Sequence, residues 1–478
     1  MNGELLLAVN APAILVVILI LAAAITYVLR DWERWTALSA GVITGVFALL
    51  LWRLDVVQLA TGVVNEGTLL TTSQTVERFG FTLQLHATAL PAMALIFLIA
   101  TVALLLAARF PQGRSFVPMT LALLAGYTIW YLVTVAPVDV SLILPLGLII
   151  LSALSAVALQ AGRPVHAAGP LRWMVAPVLA FPLFIVARYY LELAALTPED
   201  IAPQRTAAVL LTFGLLLLMA PVPLHSVAPA TAESAPPLAT ALFTLLYQMA
   251  LIFLISRVVI QYPFMETLAP LNIWFAWTGL VTAIWAGAAA VGASQPGRLW
   301  GYLALHDWGI VILLLSVPGI RTWSLVAFLF VLRSVSMLTA ATGLAALEHY
   351  VGSVDPEDLQ GAGVRLPWNS AAFLLGGLGL VGFPLSAGFS GHWAALQIIA
   401  ASDWRSAVAV LIASSAAVFA LIRMARILYG PLANPYLRRE QTFGVVMAVG
   451  VLLLSVGLAV APQLLNVPVS RAILAFGS

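Results

Sequence analysis

Long apolar runs separated by short polar breaks dominate the chain. Bounded by Arg, Asp, Glu, Pro and Gly, the runs fall near 11–29, 36–54, 88–108, 115–135, 139–160, 171–195, 206–222, 238–260, 270–292, 298–317, 322–346, 370–400, 403–425 and 442–462. A bilayer core about 30 Å thick takes about 20 apolar residues per helix, so these runs predict about 14 transmembrane helices. Only helices and closed barrels satisfy the backbone in lipid. The short alternating segments of a barrel are absent. The predicted fold class is therefore all-α, a polytopic membrane protein with one transmembrane domain over residues 1–478. The first run is preceded by Glu4 and by no basic region. It reads as a true span rather than a cleaved signal.

Two spans are interrupted. Pro221 and Pro223 break span seven or end it early. Span twelve is too long for one straight crossing and contains Gly379, Gly382, Pro384 and Gly388. Broken helices at membrane depth are tolerated only where they line protein or a water-filled cavity. Transporters build ion sites from them. One kink alone reads as packing; two broken helices point toward transport.

Composition narrows the function classes. Charged residues make up 8% of the chain and hydrophobic residues 62%, against about 25% charged in soluble domains. A soluble enzyme, a disordered protein and a nucleic-acid binder are excluded. Lys plus Arg is 21, and every one of these residues is arginine. There is no cysteine, so disulfides and thiolate metal sites cannot form within the chain. More arginines flank the odd-numbered loops, among them Arg109, Arg298 and Arg423, than the even-numbered ones. The positive-inside rule then puts odd loops in the cytoplasm and both termini outside.

Ionisable groups at the centre of a span cost about 2.5–3.5 kcal/mol on insertion scales, so their positions carry information. Asp307 lies midway along span ten, and Arg333 midway along span eleven. The two spans are consecutive and antiparallel, which sets both residues at similar depth. They are expected to form a buried ion pair with His306 nearby, because an isolated arginine there would be too costly. A purely structural pair and part of an ion path are both compatible with that placement. His392 follows the break in span twelve, where it reads either as a proton-relay residue or as a hydrogen-bonded helix-end histidine. Gln248 sits mid-span eight and can hold a partner side chain or water but carries no charge. Arg188 and Glu192 are one turn apart and can pair locally. His225 follows Pro223 and is expected to face the cavity made by that break. His86, His166 and His349 fall near span edges or in loops and are assigned no role.

Soluble-site chemistry is missing. No glycine-rich phosphate loop with lysine, no His-Glu-x-x-His and no Gly-x-Ser-x-Gly occurs. The glycine-rich run Gly376–Gly382 lies in an apolar span and reads as close packing or a hinge. No nicotinamide, flavin, iron–sulfur or metal cofactor is implied.

The stretch Pro223-Leu-His-Ser-Val-Ala-Pro-Ala-Thr-Ala-Glu-Ser-Ala-Pro236 resembles a signature of the antiporter-like membrane subunits of respiratory complex I. Pro223, His225, Pro229, Ala235 and Pro236 match it, and Glu233 matches its acidic variant. Gly382-Phe-Pro-Leu-Ser-Ala-Gly-Phe-Ser-Gly391 is similar to a second signature at the break of span twelve. Arg298-Leu-Trp-Gly-Tyr302 with Gly309 resembles a third. The resemblance covers about 115–430 and is nearest in character to subunit N of the NADH:quinone oxidoreductases, with Na⁺/H⁺ antiporter and hydrogenase subunits as neighbours. It implies two inverted five-helix repeats, 115–260 (helices 4–8) and 270–430 (helices 9–13), with helices 7 and 12 discontinuous. It also implies the inner (plasma) membrane, a lipid bilayer surround and other membrane subunits of a complex I-like assembly as partners. Electron transfer would belong to those partners.

The departures from the family pattern are as informative as the matches. That family carries protons on a glutamate in span five and on lysines in spans seven, eight and twelve. Those positions fall on Ile149, Leu218, Gln248 and His392. Ile149, Leu218 and Gln248 cannot titrate. The resemblance therefore implies a retained fold and assembly role, with proton pumping along the usual axis lost or rerouted. A rerouted path would draw on His392, Asp307, Arg333 and His306, with His225 or Glu192. The alternative reading is an active proton or cation transporting subunit, in complex I or in a related hydrogenase, cation/proton antiporter or inorganic-carbon uptake complex.

Overall fold

The computed structural model describes residues 9–53, 72–73, 75–78, 81–85, 89–134, 137–160, 168–269, 271–317 and 320–473. Glu4, His86 and His166 lie outside them. The helices, in order, are α1 (Ala11–Val28), α2 (Glu33–Arg53), α3 (Leu90–Ala107), α4 (Phe116–Leu132), α5 (Ile143–Gln160), α6 (Ala168–Trp173) and α7 (Val175–Leu196). They continue with α8 (Ile201–Leu218), α9 (Val227–Ser234), α10 (Pro237–Gln261), α11 (Phe264–Leu268), α12 (Leu271–Gly292), α13 (Pro296–Leu315) and α14 (Ile320–Val351). The last are α15 (Ala362–Arg365), α16 (Pro367–Val381), α17 (Phe389–Ser402), α18 (Trp404–Leu428), α19 (Thr442–Val460) and α20 (Asn466–Ile473). Among the described residues, 11 helical stretches are long and apolar enough to cross a membrane, and the apolar helices Pro12–Val28 and Phe116–Leu132 are shorter. The all-α expectation needs one small addition. A short antiparallel patch joins β3 (Thr75–Arg78), β4 (Phe81–Gln84) and β5 (Val133–Thr134), and β1 (Val9–Asn10) pairs with β2 (Thr72–Ser73). Span four accordingly ends as helix at Leu132, and Val133 and Thr134 are strand.

Both expected breaks are present, with shifted edges. Span seven stops at Leu218 rather than near 222. The residue before a proline avoids helical geometry, and Ala220, just ahead of Pro221, has φ 47°. A 3-10 turn, Leu224–Ser226, then leads into α9. Span twelve divides into α16 and α17 at Gly382, whose φ of 72° is left-handed and open to glycine at low cost. A Cβ there would also overlap the Cβ and Cγ of His392. The missing side chain is what lets the imidazole pack against the break.

Three helices form the centre. The most apolar windows of α10, α13 and α14 are 94%, 89% and 83% buried, against 22% for α19. All four are apolar around their circumference, so burial separates protein-facing from outward-facing helices where hydrophobicity cannot. Small residues bring backbones close. A Cβ on Gly309 of α13 would stand 2.8 Å from Ala283 Cα on α12, and one on Gly279 would stand 2.8 Å from Leu313 Cα. This is the small-residue packing that membrane helices use in place of a hydrophobic driving force.

Polar contacts sort the connections into two ends. At one end Arg109 reaches Tyr350 at 3.0 Å and Gln441, joining the ends of α3 and α14 to the start of α19. Arg423 of α18 donates to the carbonyls of Val291, in the last turn of α12, and Ala293, just past its end. All of these belong to odd-numbered connections of the sequence reading. At the other end Arg188 pairs with Asp139 and with Glu192, each at 3.0 Å, and these belong to even-numbered connections.

Candidate functional site

The polar residues that the hydropathy pattern places in mid-span converge on the three central helices. Arg333 and Asp307 have side chains 1% exposed and are paired Nη1 to Oδ2. Arg333 Nη1 also donates to the Ala304 carbonyl at 2.9 Å, and its Nε donates to Gln248 Oε1 at 3.0 Å. The guanidinium carbon stands 5.6 Å from the Trp308 ring centroid, close enough for a cation–π contact. On the far side of Asp307, Oδ1 lies 3.0 Å from His392 Nε2. His392 Nδ1 donates to the Gly388 carbonyl at 2.9 Å. A chain of four side chains thus runs Gln248–Arg333–Asp307–His392, from α10 through α14 and α13 to the first turn of α17.

The fold places this chain by simple local means. Ala304 and Asp307 are three residues apart on α13, so the backbone carbonyl and the carboxylate face the same neighbour. The break at Gly382 sets the start of α17, and with it His392, inside the bundle. Buried charges persist when paired and hydrogen-bonded, and Arg333 spends its donors on three acceptors.

Two cavities flank the chain. One of about 70 Å³ is bordered by Leu218, Gln248, Trp308 and Arg333. Another, of about 330 Å³, lies at the break between α16 and α17 and is bordered by His392, Ser414 and the half-exposed Phe383 and Trp393. Leu218 ends α8, and its carbonyl accepts the Tyr247 hydroxyl at 2.9 Å. Ile149 is buried in the apolar core on α5.

The other sequence candidates do not join one network. His306 neighbours Asp307 in sequence, yet its ring turns away. Nδ1 faces the Ala283 carbonyl at 2.8 Å and Nε2 faces Ser414 Oγ at 2.9 Å. Adjacent helical residues point to different neighbours, so "nearby" in sequence became a separate contact to α12 and α18. His225 accepts from Trp285 Nε1 at 2.9 Å and sits at the first break. Glu233 lies 4.0 Å from Arg298 beside a polar recess of about 640 Å³. Arg188 and Glu192 pair at the even-loop end, with Asp139 as a further partner. Sequence reading missed Trp308, Tyr247 and Ser414, which hold the chain or its neighbours in place. Their types blend into an apolar or small-residue background, so no pattern singled them out.

All four members of the chain lie within one matched stretch. Residues 197–420 match the family described as NADH:quinone oxidoreductase/Mrp antiporter, transmembrane. NADH-quinone oxidoreductase subunit N of Geotalea uraniireducens (strain Rf4) is 26% identical over 185 residues, 38% of this chain and 39% of its own length. Hydrogenase-4 component B of Escherichia coli (strain K12) is 28% identical over 250 residues, 48% of this chain and 36% of its own length. The aligned stretches therefore span well under half the length of these curated relatives. Solved structures extend the likeness of fold to nearly the whole chain. A chain of the membrane-bound sulfane sulfur reductase, an archaeal respiratory membrane complex, superposes with a TM-score of 0.79 at 18% identity, covering 97% of both chains. A chain of the Mrp complex from Dietzia sp. DQ12-45-1b gives 0.75 at 16% identity, covering 99% of this chain and 97% of its own. A chain of respiratory complex I from Thermus thermophilus gives 0.64 at 17% identity, covering 94% and 98%. Residues 197–420, the stretch that resembles the NADH:quinone oxidoreductase/Mrp antiporter transmembrane family, hold both helix breaks and the buried ion pair.

Proposed function

We propose that this protein is an antiporter-like membrane subunit of a respiratory-type complex, seated among other membrane subunits in the inner (plasma) membrane with both termini outside. In this reading its proton path along the usual axis is cut. The observation that carries the reading is the environment of Gln248. By the resemblance it takes the place of a lysine, and it is held by an arginine, Arg333, locked to Asp307. Arginine does not release a proton in proteins, so the cation at this point of the axis is fixed. Ile149 and Leu218 add two further positions without a titratable group. The chain would then transmit conformational change and complete the membrane arm, while electron transfer and pumping reside in its partners.

The test is a tagged full-length chain purified with its native complex, with the co-purifying subunits identified by mass spectrometry. The complex is then placed in liposomes and its proton-to-electron ratio measured for wild type, His392→Ala and Asp307→Asn. Equal ratios in all three are expected. A lower ratio in either variant, with the complex intact, would refute the reading.

One observation favours a second reading, an ion path rebuilt around His392. The Gln248–Arg333–Asp307–His392 chain links two cavities, and the one on the His392 side ends among half-exposed residues at the helix break. The same liposome comparison separates the readings, since only the rebuilt path makes pumping depend on His392.

A further inference from the structure

A groove of about 670 Å³ opens at the even-loop end, between the start of α12, the end of α13 and the connection from α17 to α18. Helix packing makes it. α12 packs on α18, and a Cβ on Gly287 would stand 2.9 Å from Ala413 Cβ. Nearer the even-loop end the two helices line the groove from either side, Leu280 from α12 and Ala409 from α18. Trp277 also borders it and is exposed, so the groove opens sideways toward the bilayer.

The lining is graded from apolar to charged. Leu280, Leu313, Ile399 and Ala409 form the floor, and Ser402, Asp403 and Arg405 stand at the rim. Leu280 lies about 14 Å along α12 from Leu271, so the floor reaches well into a hydrocarbon core about 30 Å thick. Trp404, beside the rim, is exposed, as tryptophans are at the level of lipid headgroups. The Arg405 guanidinium carbon stands 5.9 Å from the Trp404 ring centroid, and the side chain forms no ion pair among the described residues. Asp403 accepts from the amides of Arg405 and Ser406 and from the Ser406 hydroxyl. That uses three of the roughly four acceptor positions of a carboxylate. The mouth of an apolar groove thus holds one cation and one anion, each with bonding capacity to spare.

From this gradient and this pair of charges we infer that the groove binds one phospholipid whose headgroup carries a phosphate and a primary ammonium. Arg405 holds the phosphate, Asp403 the ammonium, and an acyl chain lies between α12 and α18. A protein segment fits less well. In lipid it would be helical, and a helix about 10 Å across fills about 1,100 Å³ over the same 14 Å, more than the groove holds. The bound lipid ties the α17–α18 connection to α12 and α13. α17 carries His392 in its first turn, so the lipid steadies the far end of the helix that positions the imidazole, whether or not an ion crosses the subunit.

Palmitoyl-oleoyl phosphatidylethanolamine is the probe. The full-length chain is purified in detergent, stripped of lipid and melted across a series of this lipid. Phosphatidylcholine and phosphatidylglycerol with the same chains are the comparisons: the first has both charges but no N–H on its ammonium, the second the phosphate alone. A saturable rise in melting temperature is expected, with apparent affinity for phosphatidylethanolamine about fivefold or more above the other two. Arg405→Gln should weaken that affinity about tenfold. Ala409→Phe sets a ring in the groove and should abolish the saturable rise with both rim charges still present. Arg205→Gln, exposed near the start of α8 at the same end, should leave it unchanged. Independently of these variants, a photo-crosslinking amino acid in place of Trp277 should capture phospholipid in native membranes. No saturable rise, equal affinity for the three lipids, or an equal loss in Arg205→Gln would overturn the inference. So would undiminished affinity in Arg405→Gln or Ala409→Phe, or crosslinks to polypeptide alone.

Discussion

Removing the carboxylate of Asp307 and removing the charge of Arg333 should not cost this protein additively when both members of the ion pair are replaced. In Asp307→Asn, Arg333 keeps its bonds to Gln248 and Ala304, but its positive charge, 1% exposed, faces no anion. A hydrogen bond to a charged group contributes about 1.5–3 kcal/mol. Breaking a buried pair from one side costs about 3–5 kcal/mol, because the remaining charge stays desolvated. Arg333→Met should cost a similar amount, since it strands the carboxylate beside His392. The double variant removes both charges, so its loss should fall short of the summed single losses by about 2 kcal/mol or more, within the range measured for groups in contact. The assay is equilibrium unfolding of the full-length chain in mixed micelles, by denaturing detergent titration, for all four members of the cycle. Additive losses, with a coupling below about 0.5 kcal/mol, would refute the claim that the pair acts as one electrostatic unit.

Three further outcomes follow from the packing. Gly309→Ala should destabilise by about 1–3 kcal/mol, because its Cβ would stand 2.8 Å from Ala283 Cα; the same unfolding titration measures it, and a neutral result would mean α12 can move away freely. Trp308→Phe should cost about 1–3 kcal/mol, since the indole donates to the otherwise buried Met219 carbonyl at 3.0 Å, while Trp393→Phe, at a half-exposed site, should be near neutral. Asp403 caps α18 through the Ser406 hydroxyl and the amides of Ser406 and Arg405. The Ser406 hydroxyl foremost, with those amides, holds its carboxyl below the usual range. A depressed carboxyl contributes stability above its unfolded pKa of about 3.9 and loses it as pH falls through the lower folded value. Melting curves of wild type and Asp403→Ala should therefore differ at neutral pH and converge in acid; a constant gap would count against the cap.

The pairing of Asp307 with Arg333 was legible because charge is so costly in a span that two opposite charges at one depth have little choice but to meet. The end of span seven was legible in outline from Pro221 and Pro223, yet its last helical residue, Leu218, depended on the local backbone at Ala220. His306 is buried beside the pair as expected, but its ring bonds to Ala283 and Ser414, because sequence adjacency says nothing about which neighbour a helix face meets.

The sequence by itself determined that this is a multi-pass helical membrane protein with two interrupted helices and a small set of expensive charges. The cost of burying polar groups in lipid enforces those features residue by residue. It also carried, at both breaks, motifs that resemble those of the antiporter-like subunits. Only the tertiary structure decided which of several equally apolar helices stand at the centre, and which way each polar side chain turns. Hydrophobicity cannot distinguish a lipid-facing surface from a protein-facing one. The grouping of Gln248, Arg333, Asp307 and His392 into one chain between two cavities comes from helix packing, in which close approaches at glycines and the turn at Gly382 set distances that no linear pattern encodes.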